Sequence, residues 1–403
     1  MTGAVLVVNA GSSSLKFAVY PDSRADLSAT LRGKIAGIGA NPVFSAQGDD
    51  GVALPQDCLL APGRTAGLDT LVPALLAWVN DHRGPVTIRA VGHRVVHGGQ
   101  NNAGPALITD ALLAELETLA PLAPLHQPHN LAAIRHMAAS APGLPQVACF
   151  DTSFHRTQSK LAQMFALPRA LGDQGIVRYG FHGLSYDHIA RVLPHHLGAK
   201  AEGRVIIAHL GSGASMCALK DRRSVATTMG FTALDGLMMG QRCGALDPGV
   251  LLYLMAEKGM TVETLATLLY KESGLLGVSG ISSDMAVLQQ SSAPEAQEAI
   301  NLFCDRAAGT LASLTTAIGG LDAIIFTAGI GENSAMVRSR ICDRLRWMGV
   351  ALDESANARH ATRIGAVGLD IDVLVIPTDE EVVIARATQA LTAVAPLRHV
   401  DPS

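Results

Sequence analysis

Apolar residues along this chain follow two different periods. Residues 5–8 are a β-branched run, VLVV, and after the small-residue turn NAGSSS a second apolar run extends to residue 20. Apolar runs of roughly 4 to 8 residues bounded by Gly or Ser predict buried strands joined by a turn. A similar arrangement returns at 205–219 as VIIAHLGSGASMCAL. Further short strands are predicted at 147–150, 323–326 and 373–376. Helical spacing appears at 68–80, at 110–119 with Leu112, Leu113, Leu116 and Leu119 on one face behind Asp110, and at 130–139. It continues at 248–258, 261–271, 294–318, 334–347 and 381–394. Strands alternating with long helices argue an α/β fold. Residues 41–67, rich in Gly, Pro, Asp and Gln, read as a variable surface loop. The change of character after residue 150 places a domain boundary there, and the pair of hairpins points to duplicated halves.

Composition narrows the function classes. A chain of 403 residues exceeds what one hydrophobic core usually serves, so two domains are expected. Its 48% hydrophobic content can fill both. With 16% charged residues and a net charge of -4, no basic field exists to hold nucleic acid. The cluster Arg338, Arg340, Arg344 and Arg346 lies in a helical pattern and reads as a solvated face or a small-anion site. Mean hydropathy is +0.27, yet no apolar run approaches the ~18 residues of a membrane helix, and no basic segment precedes the first apolar run. Six cysteines without CxxC spacing fit reduced thiols. A soluble, cytoplasmic, enzyme-sized protein is the expectation, without a nucleic-acid or membrane partner.

The candidate chemistry sits in Gly-bounded turns. GSSSLK lacks the second glycine and the GK[ST] ending of a P-loop, which disfavours a Walker-type NTPase. Asn9 and Lys16 flank the turn: a neutral oxygen ligand for a metal-bound water, and an ammonium for phosphate oxygens. FTAGIGEN at 326–333 reads either as an anion or nucleotide-sugar site at a helix start or as ordinary punctuation with Ser334 as N-cap. GHRVVHGG, RYGFHG and MGQRCGALDP place Arg94, His182 and Arg242 among glycines that permit close approach. Phosphoryl transfer relies on positioning and cationic neutralisation, which guanidinium groups supply. In IPTDEEVVIA, Thr378 and Glu381 have capping-box spacing, leaving Glu380 available to a magnesium ion or its waters.

Over nearly its full length the chain resembles the acetate kinase family. The motifs are NAGSSSLKF at 9–17, GHRVVHGG at 92–99, PLAPLHQPHN at 121–130, FDTSFH at 150–155, RYGFHGLSYDHI at 178–189, HLGSGAS at 209–215, TTMGFTALDGLMMGQRCGALDPG at 227–249, SGLLGVSGISSDM at 273–285, AGIGEN at 328–333 and PTDEE at 377–381. The resemblance implies two similar α/β domains of the actin-like ATPase (ribonuclease H-like) fold around a nucleotide cleft. One domain would comprise residues 1–150 with 383–403, the other 151–382. It implies a homodimer and the reaction ATP + acetate ⇌ acetyl phosphate + ADP, by direct in-line transfer, with magnesium or alternatively manganese. Carried over by motif position, Asn9 and Glu380 bind the metal, and Lys16, Ser12 and Ser14 meet the nucleotide. So do His209, Leu210, Gly211, Ser212 and Gly213, then Asp284, Met285 and Ala286, then Gly329, Ile330, Gly331, Glu332 and Asn333. Arg94 binds the substrate carboxylate, in an acyl pocket with Val96, Leu125, Phe181 and Ala233. His182 and Arg242 stabilise the transferring phosphoryl group, and Asp151 is the essential aspartate. Because a carboxylate substrate is already ionised at neutral pH, Asp151 is expected to orient groups electrostatically rather than act as a base.

Departures from the family pattern fall at Ala226, Ala233, Gln241 and Ala286, where Asp, Pro, Thr and Arg are usual. Loss of a proline ring at Ala233 enlarges the acyl pocket and favours propionate, whereas Val96 favours acetate. One methylene is worth only ~1–3 kcal/mol, so both acids remain open. Ala286 removes a guanidinium near the nucleotide and leaves ATP against GTP open. The alternatives are a propionate kinase and an ATP-switched binding protein of the same fold.

Overall fold

The β-branched runs pair into two sheets. The computed structural model describes residues 2–11, 13–24, 27–55 and 66–393. The described residues divide into two compact units, those up to 153 with 379–393, and 154–378. The divisions follow residues 153 and 378, which puts Asp151 and Glu380 in the first unit.

In the first unit, seven strands lie in the order β4-β3-β2-β1-β5-β7-β6. These are β1 (Thr2–Ala10), β2 (Ser14–Pro21), β3 (Leu31–Ala36), β4 (Val43–Gly48), β5 (Val86–Val95), β6 (Ala106–Leu107) and β7 (Gln146–Phe150). Strand β1 pairs antiparallel with β2 and parallel with β5, and β5 pairs parallel with β7. Alternation decides which side chains each face buries. Leu6, Val8, Leu15 and Phe17 join Leu71, Leu75 and Trp78 of α1 (Leu68–His82) and Met137 of α3 (Gln127–Ser140) in one core. A smaller core gathers Leu112 and Leu116 of α2 (Asp110–Thr118) under Phe150. The opposite face carries the C-terminal helix, Glu380–Thr392. That helix comes so close that a Cβ on Gly92 would lie 2.5 Å from Ile384 Cγ2.

Two expectations change here. Part of the predicted 41–67 loop is the strand β4, whose alternation buries Phe44 and Ala46 against Trp78. Its flanking Gly and Pro residues hide a short edge strand whose outer face, Val43, Ser45 and Gln47, stays exposed. Residues 56–65, including Cys58, lie outside the described residues. Thr378 and Glu381 do not form a capping box. Asp379 is the N-cap, its carboxylate accepting from Val382 N, while the Thr378 hydroxyl bonds Ser185. Thr109 caps α2, its hydroxyl accepting from Leu112 N at 3.2 Å.

In the second unit, β8 (Val205–Leu210), β9 (Ala214–Lys220), β10 (Arg223–Thr227), β11 (Ala323–Thr327) and β12 (Asp372–Val375) lie in the order β10-β9-β8-β11-β12. Three antiparallel strands followed by two parallel ones repeat the β3-β2-β1-β5-β7 core of the first unit. The helices are α4 (Lys160–Gln163), α5 (Arg169–Asp173), α6 (Gly183–Leu197), α7 (Pro248–Ala256), α8 (Val262–Lys271), α9 (Gly274–Ser279), α10 (Met285–Gln290), α11 (Pro294–Ile318), α12 (Ala328–Asn333), α13 (Ala335–Asp343) and α14 (Glu354–Ala358). Ile189 and Leu193 of α6 cover one face with Val205, Ile207, Leu219 and Ile325, and α11 lies against the other. The arginines around α13 separate. Arg338 is fully buried, whereas Arg340 meets Gln297 and Asn301 and Arg346 meets Asp343 at the surface.

Candidate active site

The first unit places its chemistry on the face that carries the C-terminal helix. Asn9 and Lys16 are direct ladder partners, so their side chains share a face. Arg94 lies two residues beyond Gly92 and therefore points to the same side as the approaching helix. Ends of parallel strands do the rest. Register pairs Arg94 with Cys149 and Val95 with Phe150, so the chain leaves β7 as Asp151 beside Arg94. Their side chains form a fork: Arg94 Nε donates at 3.0 and 3.2 Å to the two carboxylate oxygens of Asp151, and Nη2 donates at 2.6 Å. Glu380 Oε2 stands 3.8 Å from Arg94 Nε. Asp151 is 1% exposed. Burial works against the Arg94 cation, but the charges of Asp151 and Glu380 outweigh it and raise its pKa.

Val96 is buried, and its N–H donates to Asn130 Oδ1, whose amide donates to Ala10 O. That bond ties the end of β1 to the segment after β5. Leu125 is half-buried in the turn before α3. Ser14 begins β2, its carbonyl accepting from Gly11 N at 2.7 Å. Ser12 lies outside the described residues.

Unit two gathers its residues at the β8–β9 turn. A Cβ on Gly213 would meet Arg242 Nη2 and stand 3.3 Å from His182 Nε2, so the glycine lets guanidinium and imidazole converge. His182 adopts a left-handed φ of 58° at the start of α6. Its Nδ1 lies 2.8 Å from Ser215 Oγ, and its ring stacks on His209 at 4.3 Å. Arg242 Nη1 donates to Ala233 O. Phe181 is buried, its carbonyl bonded to His155 Nε2 at 2.9 Å. Burial pushes the His155 pKa down to about 4, so the ring is neutral and structural.

A cavity of about 470 Å³ adjoins this turn. Its lining brings together Gly211, Ser212, Asp284, Met285, Ala286, Gly329, Ile330 and Asn333 from the sequence expectation. Ser283, Gln289 and Ser334 join them; sequence reading had missed the first two as site residues and taken Ser334 only as a cap. Leu210 and Gly331 are buried behind the lining. Glu332 turns away from the cavity, its Oε1 accepting from Ala328 N at 2.7 Å and Thr378 N at 3.2 Å. The AGIGEN segment is itself the short helix α12, entered through a left-handed Ala328 at φ 66°.

Arg338 holds this segment from behind. Nη1 donates to Gly331 O and Glu332 O, Nε to Asn357 Oδ1, and Nη2 to Asn357 O. Burial lowers its pKa, and its donors meet carbonyl and amide oxygens and, from Nη2, the ring nitrogen His360 Nδ1 at 3.1 Å, with no carboxylate among them. The signal was present in the sequence: Arg338 sits on the Val337, Ile341, Cys342 stripe of α13, which is an apolar face.

Among the described residues, no group of three His, Cys, Asp or Glu side chains could hold a metal ion alone. Asn9, Asp151 and Glu380 offer hard oxygen donors of the kind that share magnesium with substrate phosphates. The donor chemistry therefore fits magnesium.

A core of three antiparallel and two parallel strands repeated in both units is the actin-like ATPase fold, and likeness to acetate and propionate kinases makes this chain a phosphotransferase. The acetokinase family profile matches residues 4–386. The acetate kinase of Rhodopseudomonas palustris is 51% identical over 391 residues, covering 96% of this chain and 98% of that one. That of Rhizobium meliloti is 46% identical over 388 residues, covering 96% and 98%. Among solved structures, a propionate kinase from Francisella tularensis superposes with a TM-score of 0.88 at 34% identity, covering 96% and 99%. The Porphyromonas gingivalis acetate kinase gives 0.85 at 32%, with the same coverage. The chain belongs to the acetokinase family.

Proposed function

We propose that this protein is an acetate kinase that transfers the γ-phosphoryl group of ATP directly to acetate, reversibly giving acetyl phosphate and ADP. One observation carries the reading on the acceptor side. Arg94 is locked by Asp151 through Nε and Nη2, and among the described residues Nη1 has no partner. A guanidinium edge fixed in this way is suited to an incoming carboxylate. Because acetate arrives ionised, the buried Asp151 keeps Arg94 charged and oriented rather than taking a proton. Val96 and Leu125 supply apolar contact in the same unit, and the family resemblance assigns Phe181 and Ala233 to the acyl group as well.

On the donor side, the cavity at Gly211, Asp284 and Gly329 takes the nucleotide, and Lys16 meets its phosphates. His182 and Arg242 stabilise charge on the transferring group, which in-line transfer spreads over its equatorial oxygens. Asn9 and Glu380 would hold magnesium, which when bound neutralises phosphate charge. A homodimer is supported by α7, an apolar helix with no buried residue: Leu252 is 70% and Tyr253 53% exposed. We place the protein in the cytoplasm, where ATP is available; among the described residues no helix is long and apolar enough to cross a membrane.

Incubation with Mg-ATP, hydroxylamine and acetate, propionate or butyrate tests this directly. Hydroxamate should form best from acetate; none from any acid would sink the kinase. A preference for propionate is the second reading, favoured by the small Ala233 side chain.

A further inference from the structure

A second cavity of about 470 Å³ lies on the outer strands of the first unit, lined by Lys16, Arg32, Lys34, Ser45, Gln47 and Glu381 among others. Its volume is in the range of small-molecule sites. Alternation builds it. Leu15, Phe17, Leu31, Ile35, Phe44 and Ala46 face the helix-covered core, so Lys16, Arg32, Lys34, Ser45 and Gln47 share the other face. Register places Lys16 directly opposite Lys34, Lys34 opposite Ser45, and Arg32 opposite Gln47.

Like charges directly opposite on an antiparallel pair destabilise a sheet. Among the described residues, neither ammonium enters a hydrogen bond or ion pair. Arg32 has a fixed partner, donating to Asp379 at 2.9 Å, and it lies 5.8 Å over the Tyr20 ring. Glu381 is the carboxylate of the lining, and among the described residues it forms no ion pair with either lysine. The remaining polar lining, a hydroxyl and an amide, can complete the coordination of an oxyanion.

We propose that this cavity binds a small organic polyanion, with one anionic group between Lys16 and Lys34 and a second toward Arg32 and Gln47. Polycarboxylates and phosphate esters share that chemistry. Occupancy takes the Lys16 ammonium, so such a ligand inhibits phosphoryl transfer in competition with the nucleotide. This kinetic consequence rests on the proposed role of Lys16, whereas binding itself does not.

The test titrates the full chain calorimetrically with tricarballylate and, separately, with 3-phosphoglycerate. Whichever probe binds identifies the source chemistry. Lys34→Glu should weaken binding by about tenfold or more, with Lys34→Gln intermediate, and turnover of Lys34→Gln without the probe stays unchanged. Without ligand, Lys34→Gln should melt higher than wild type at low salt, with the gain lost near ~0.5 M NaCl. Absence of binding by both probes, or undiminished binding in both variants, overturns the site. So does a lower ligand-free melting temperature for Lys34→Gln. Failure of the kinase reading appears elsewhere, as no hydroxamate from wild type.

Discussion

Replacing Asp151 by Asn separates an electrostatic aspartate from a general base. The side chain is 1% exposed and accepts all three of the hydrogen bonds by which Arg94 is fixed. Asn keeps the shape but removes the charge and one acceptor. A hydrogen bond to a charged group contributes about 1.5–3 kcal/mol, and removing one partner of a buried pair costs roughly 3–5 kcal/mol. Part of this is recovered here, because Arg94 is 23% exposed in its side chain and Glu380 stands 3.8 Å away to receive it. A loss of about 2–4 kcal/mol in transition-state stabilisation remains, or roughly 30- to 1000-fold in kcat. Coupled hydroxamate assays from pH 6 to 9 measure it. Since acetate needs no deprotonation, the deficit should be the same at every pH. A variant within about threefold of wild type, or one whose activity climbs back as hydroxide rises, would refute the electrostatic role.

Gly92→Ala should push the C-terminal helix off its strand at Ile384 and Thr388, costing about 1–3 kcal/mol of stability. Through Glu380 it should also raise the magnesium requirement, read by thermal melts and a magnesium titration of rate. Arg338→Met removes the guanidinium donors to Gly331 O, Glu332 O and the Asn357 Oδ1 and O, leaving Asn357 O only the His360 N–H and Glu332 O only His360 Nδ1. The KM for ATP should rise at least ~tenfold, with the KM for acetate nearly unchanged; an unchanged nucleotide KM would make Arg338 merely structural. Burial holds His93, His97 and His155 at about 4. Between pH 6.5 and 4 the unfolded chain therefore binds more protons than the folded one, and stability falls as pH falls, flattening below about 4. Glu381, raised by burial, opposes this by a single group. Denaturant melts at pH 7 and 5 should show a loss of several kcal/mol at the lower pH; equal midpoints would contradict it.

The strand–turn–strand pattern at 5–20 and its echo at 205–219 were legible because buried strands need unbroken β-branched runs and tight turns need small residues. These two hairpins begin equivalent five-strand cores. Arg94, His182 and Arg242 could be singled out because their Gly-bounded settings are local, whereas Asp151, in FDTSFH, came only from the family resemblance. Strand β4 was missed because an edge strand with one solvated face resembles a loop in composition. The capping box at Thr378 failed for a different reason: spacing proposes a partner, but Ser185, far away in sequence, takes the hydroxyl.

Sequence alone thus determined what depends on a few neighbouring residues: the periods of strands and helices, the turns, and the chemical types offered in each motif. Tertiary structure decided what depends on register and approach. It set Asp151 against Arg94 across adjacent parallel strands, and Lys16 opposite Lys34. It let the C-terminal helix reach Glu380 to Arg94 over Gly92, and it buried Arg338 among carbonyls. Each such pairing joins residues distant in the chain, and the energies that select it, burial and charge in a low dielectric, exist only once the chain is packed.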